Sequence, residues 1–188
     1  MQVTLHYKLV MNPDSPDCLR YPIGTYNDYS CESKQKAIEI LAAFPQKLKI
    51  HASKMTKAEL NSCYRPGGWT ARQVINHVAD SHMNSFTRVK LALTEENPVI
   101  KPYGEAKWAT LADSADIDIT AAMLIIEGIH ARWTFLLQSL NEADFQRTFF
   151  HPEHQKQITI EETLLFYAWH CEHHLAHLMI IRNSVGFI

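Results

Sequence analysis

Four of the chain's eleven histidines fall in one short run, His170-Cys171-Glu172-His173-His174-Leu175-Ala176-His177. On an α-helix each residue turns by about 100°, so His174 lies roughly 40° from His170, and all four histidines share one arc about 100° wide. Imidazole is a common ligand for divalent transition metals. Two imidazoles four residues apart stand one turn, about 6 Å, above each other and can converge on one ion. Leu164, Ala168, Cys171, Leu175, Leu178 and Met179 fall on the adjoining arc and mark the core-facing side. His170 with His174 borders that side, whereas His173 with His177 is rotated toward the outer surface or a partner subunit. The spacing therefore selects His170 and His174 as the ligand pair. It leaves the second pair for polar contacts at a pocket mouth, or for no role.

Catalytic zinc commonly takes three protein ligands and keeps a fourth position open. A third donor should come from another helix. His77 in Asn76-His77-Val78-Ala79-Asp80-Ser81-His82 occupies the edge of an apolar arc, a boundary position like that of His170. His82 lies further into the apolar face and reads as a packed or hydrogen-bonded core histidine. The spacing is HxxxH and not HExxH, so a zincin-type glutamate base is not encoded. A lone i,i+4 histidine pair is more often incidental than a ligand pair, and a metal-free helical module is the plain alternative. Arg65, Arg72 and Arg88 are candidates to receive an anion, although exposed arginines are ordinarily solvated surface. Trp69 and Trp169 read as core or interface aromatics. Asp80 and Glu172 are either partners for histidine N–H groups or solvated helix charges.

Helices must position these residues, and their signals are clear. Ala37, Ile40, Leu41, Phe44 and Leu48 recur at helical spacing from Lys34 to about Ser53, with Pro45 expected to kink the helix. Thr56 with Glu59, Thr70 with Gln73 and Thr159 with Glu162 have capping-box form. They open a short helix, a long helix running to about Thr94, and a last helix ending near Arg182 with Gly186 beyond it. A further helix spans roughly Ile119 to Leu140 on a clean apolar stripe. Pro98 to Asp118 reads as a long connection. The stretch from Phe145 to Ile158 reads as a small hairpin, with a plain loop nearly as well supported. The expected fold is all-α: a four-helix bundle over residues 33–188, preceded by an irregular arm over residues 1–32.

Composition narrows the function. The chain has 188 residues, 46% of them hydrophobic and 20% charged, which suits one domain with a real core. A formal charge of −2 without a basic cluster argues against nucleic-acid and membrane-surface partners. No apolar stretch approaches the ~20 residues of a spanning helix, and Met1 to Asn12 alternates without an h-region. The four cysteines are scattered. The expectation is a cytoplasmic protein with reduced thiols.

Several stretches resemble the DinB/YfiT-like family of metal-dependent hydrolases. They are Tyr21-Pro22-Ile23-Gly24-Thr25-Tyr26, Tyr64-Arg65-Pro66-Gly67-Gly68-Trp69-Thr70, residues His77 to Asn84, Lys90 to Glu95, Lys101-Pro102-Tyr103, and Tyr167 to His177. The likeness runs from about Tyr21 to the C-terminus and is specific to the YfiT branch. It implies a four-helix bundle that binds its metal through His77, His170 and His174, the trio favoured by the helical wheels. It also implies a homodimer, with one zinc or nickel ion per subunit. Members include enzymes that transfer low-molecular-weight thiols to electrophiles, so the small-molecule substrate is expected to meet either an activated water or an activated thiol. The contrasting expectation is a non-catalytic, metal-stapled helical binding protein.

Overall fold

Capping chemistry opens the helices where the sequence marks them. Thr70 Oγ1 accepts from the Gln73 amide at 3.2 Å while Gln73 Oε1 accepts from the Thr70 amide at 3.0 Å. The same reciprocal pair forms between Thr56 and Glu59, and between Thr159 and Glu162. Each box satisfies two N–H groups that a helix start would otherwise leave unpaired.

A computed structural model describes residues 17–185. Its elements are a 3-10 turn at Tyr26–Asp28, then α1 (Lys34–Ala52), α2 (Lys57–Leu60), α3 (Ala71–Thr94), α4 (Glu105–Trp108), α5 (Ala112–Ala115), α6 (Thr120–Gln138), α7 (Glu142–Phe145), β1 (Thr148–His151), β2 (Lys156–Thr159) and α8 (Ile160–Val185). The expected long helices are all present. The connection between α3 and α6 holds two short helices, and α8 runs past Arg182 to Val185. Residues 1–16 of the expected arm, and Gly186, lie outside the described residues.

α1 packs against α6 and α8, and α3 packs against the same two helices. The order around the four-helix bundle is therefore α1, α6, α3, α8. Consecutive long helices α1 and α3 stand on one diagonal, α6 and α8 on the other. The side chains filling the centre are large and fully buried: Phe44, Leu41 and Leu48 from α1, Ile75 from α3, Trp133 and Leu137 from α6, and Leu164 and Leu178 from α8. α1 continues through Pro45. Proline has no N–H, so the Leu41 carbonyl one turn earlier has no in-helix donor at that position.

The α6-to-α8 crossing carries the hairpin, antiparallel with Phe149 opposite Ile158. It is tied to the α3–α6 connection by Ile100 N donating to Phe150 O at 3.1 Å and Phe150 N donating to Pro98 O at 2.9 Å. Arg147 donates to the Ala92 and Glu95 carbonyls, closing the C-terminal end of α3.

Residues 17–32 form turns laid along α8. Gly24, at φ +83, makes the bend that presents its carbonyl to Trp169 Nε1 at 3.2 Å. Tyr29 donates to Glu172 at 3.0 Å. On the opposite side of the molecule, α6 exposes Leu124, Ile125 and Phe135, the last 76% exposed. Among the described residues no helix is long and apolar enough to cross a membrane.

Candidate metal centre

α3 and α8 are neighbours in the bundle, and each turns a boundary histidine toward the other. His77 Nε2 lies 3.4 Å from His170 Nε2, and His174 Nε2 lies 3.2 Å from the same atom. A tetrahedral cation with bonds of about 2.0–2.1 Å to nitrogen holds its donors roughly 3.4 Å apart. The two separations to His170 Nε2 match what such an ion requires, and the donor atoms of all three residues lie within 4.8 Å of one another. All three residues are buried, and all line one cleft of about 1170 Å³.

The outer nitrogens decide which way these rings present their protons. His177 Nε2 lies 3.1 Å from the Arg20 carbonyl oxygen, which only accepts, so His177 donates there. Its Nδ1 must then accept from His174 Nδ1 at 3.3 Å. That assignment leaves a bare lone pair on His174 Nε2, the form a metal ligand needs. His170 Nδ1 is likewise engaged, 2.9 Å from His82 Nε2.

Aromatic side chains wall the site. Trp69 lies against His77 with ring centroids 4.7 Å apart. Tyr64 stacks on His177 at 3.9 Å and Trp169 on His173 at 4.4 Å.

Residues 40–178 match the DinB superfamily. The chain is 45% identical over 172 residues to the Bacillus subtilis protein named "Putative metal-dependent hydrolase YfiT", covering 90% of this chain and 97% of that one. A similarly named Bacillus licheniformis protein is 38% identical over 174 residues, covering 91% and 99%. The chain belongs to the DinB superfamily. The solved structure of the B. subtilis protein, described as a probable metal-dependent hydrolase with an unusual four-helix bundle topology, superimposes with a TM-score of 0.85. That likeness has 44% identity and covers 91% of this chain and 99% of that one.

In this DinB-superfamily protein burial keeps the site uncharged. It pushes His77 down to about 4, with the charge of His177 adding to the effect. It holds His170 and His174 well below 6.5. Three neutral imidazoles are the donor set that a divalent metal takes without proton release from the ligands.

Other sequence candidates are sorted by position. Arg65 and Arg88 line the cleft, whereas Arg72 does not. Its guanidinium is buried as a clamp, bonded to the Ile117 carbonyl and to Asn61 Oδ1 at 3.1 Å. Trp69 and Trp169 line the cleft beside the histidines, a site role the sequence reading did not give them. His173 and His177 are buried and not turned outward, because residues 17–32 cover that side of α8. No periodicity in that segment signals the cover. Glu172 accepts from Tyr29. Asp80 is raised to about 6 by burial and then by the charge of Asp113. His82 is a buried hydrogen-bonded histidine, as its position on the wheel implied. His130 was missed. Its only signal was a polar residue interrupting the Ile126, Trp133, Leu137 stripe of α6.

Burial lowers His130 from 6.5 to about 4. Its folded pKa lies below the unfolded one, so its contribution to stability is complete above about 6.5 and is lost as pH falls toward 4. That single group should remove roughly 2 kcal/mol of stability between pH 7.5 and 5, and the other buried histidines deepen the loss. Asp80, raised to about 6, works in the opposite direction. Urea unfolding of metal-free protein at the two pH values measures the change. A stability that stays level or rises on acidification would refute neutral burial of these rings.

Proposed function

We propose that this protein is a metal-dependent enzyme, a hydrolase or a low-molecular-weight thiol transferase, with one zinc or nickel ion per subunit held by His77, His170 and His174. The convergence of three buried Nε2 atoms at the base of an open cleft carries this reading. A divalent cation in a neutral donor set keeps its charge and brings the pKa of an adjacent water from ~16 to near ~7, with a similar effect on a thiol. The chain supplies the rest. His174 offers its lone pair because His177 and the Arg20 carbonyl hold its proton on the other side. Tyr64, Trp69 and Trp169 shield the donors from bulk water, and Arg65 and Arg88 give the cleft two cations for an anionic part of the substrate.

The rival reading is an ion that only staples α3 to α8. A staple closes its coordination shell with a fourth protein donor. His177 has both nitrogens engaged and would have to give up its contact with His174 or with Arg20 to serve as one, whereas His173 has a buried Nδ1 with no hydrogen-bond partner. A shell closed by His173 favours the staple, and a fourth position left open favours the enzyme. The same reading puts the protein in the cytoplasm, supported by four free cysteines.

The proposal extends to a homodimer, supported by the exposed apolar face of α6, Leu124, Ile125 and Phe135. A Phe135→Glu variant should elute at monomer mass in light-scattering chromatography, where wild type runs as a dimer. A wild-type monomer would end that part of the reading.

Purified wild type should carry about one equivalent of zinc or nickel, and the His77→Ala, His170→Ala, His174→Ala triple variant close to none by elemental analysis. Loaded enzyme is then offered a thiol with a model electrophile, beside an ester and an amide. Turnover of one class, lost in the triple variant, is the expected result. Equal metal content in both proteins would rule out the site.

A further inference from the structure

His170 differs from an isolated ligand in what stands behind it. His82 Nε2 lies 2.9 Å from His170 Nδ1, His130 Nε2 lies 2.7 Å from His82 Nδ1, and the Leu41 carbonyl oxygen lies 2.7 Å from His130 Nδ1. His82 and His130 are 0% and 1% exposed and neither lines the cleft. Phe44 packs near both rings, with centroids 5.6 and 5.3 Å away. Three rings from three helices therefore form one dry file that ends on a backbone carbonyl.

The direction of that file is fixed by elementary bonding rules. A carbonyl oxygen only accepts, so His130 must place its single proton on Nδ1. Its Nε2 is then an acceptor, which requires the proton of His82 on Nδ1. His82 Nε2 is in turn an acceptor, which requires the proton of His170 on Nδ1. The remaining nitrogen of His170, Nε2, is left bare, and it is the atom that faces His77 and His174. The Leu41 carbonyl is open to His130 because residue 45 is proline and donates nothing to it.

We infer that His82 and His130 are positioning residues for the metal: their relay from the Leu41 carbonyl locks His170 in the tautomer whose lone pair points into the site. The arrangement matches that on His174, where His177 and the Arg20 carbonyl do the same work from the opposite side. Both α8 donors thus have their protons anchored away from the metal, one through α3 and α6 to α1 and the other to the segment before α1. Without the acceptor at His130, His82 is free to adopt the other tautomer and donate from Nε2. His170 must then accept at Nδ1, and its proton moves to Nε2, where it blocks the metal.

The cluster of His82, His130 and Cys171, whose donor atoms lie within 4.8 Å of one another, has the composition of a second metal site. The relay accounts for it otherwise. Both nitrogens of His82 and of His130 are already engaged, and burial holds the Cys171 thiol well above its ordinary range. Outer hydrogen-bond partners of metal-bound histidine commonly change metal affinity by about 10–100-fold.

This inference rests on the metal reading of the site, but its first measurement needs no metal. Imidazole-nitrogen NMR of metal-free wild type should find the protons of His170 and His82 on Nδ1, and a proton on Nε2 of His170 would overturn the relay whatever any variant does. In His130→Phe the proton of His170 should shift to Nε2, and the zinc dissociation constant, read by competition with a chelator, should rise about 10–100-fold. His130→Gln, whose amide keeps one donor and one acceptor group, should recover most of the affinity. Equal zinc affinity in wild type and His130→Phe would overturn the relay alone. No zinc binding by wild type would overturn both the relay and the metal reading.

Discussion

A neutral imidazole has one proton and two nitrogens, and burial leaves these rings no other state near neutral pH. Every bond made by one nitrogen therefore dictates what the other can do. At this site the dictation begins at backbone carbonyls, which cannot donate. Arg20 sets His177 and so His174, while Leu41 sets His130, then His82, then His170. The two lone pairs that α8 offers are consequences of hydrogen bonds that end on the backbone, one at Arg20 in the cleft wall and the other at Leu41 in the interior. A site built from the same three inner residues without these anchors would present protons and lone pairs at random.

The bundle's connectivity makes this geometry available. With α1 and α3 on one diagonal and α6 and α8 on the other, α8 touches both α1 and α3, and α6 reaches the same two helices. His77 of α3 can then meet His170 and His174 of α8 at the cleft, while His130 of α6 meets His82 of α3 in the interior behind it. The two chain crossings are not idle connections. One carries the hairpin whose His151 and Phe149 line the cleft, and the loop before α3 supplies Tyr64 and Trp69. The segment before α1 covers His173 and His177, so part of the wall comes from irregular chain.

Much of this was legible in sequence because helices announce themselves. Three capping boxes and four apolar stripes gave the long elements within a few residues, and the turn angle of a helix was enough to bring His170 and His174 to one edge of α8. The same wheel misjudged His173 and His177. A wheel reports what a helix buries against other helices, and here the cover is a non-periodic segment held by Gly24, Arg20 and Tyr29. Arg72 was misread for a related reason, since its partners Asn61 and Ile117 lie in loops that pattern reasoning cannot place. His130 carried almost no signal. A single polar residue in an apolar stripe is usually satisfied by something, and only three dimensions show that it is satisfied by another histidine and by a carbonyl that proline has left open.

The most direct test of the centre is X-ray absorption on protein loaded with one equivalent of zinc. Three imidazole nitrogens at about 2.0–2.1 Å, with one oxygen from solvent, are the predicted first coordination sphere. A sulfur scatterer near about 2.3 Å would place the metal at the Cys171 cluster, and four imidazoles would close the shell. Either result would contradict an open three-histidine centre.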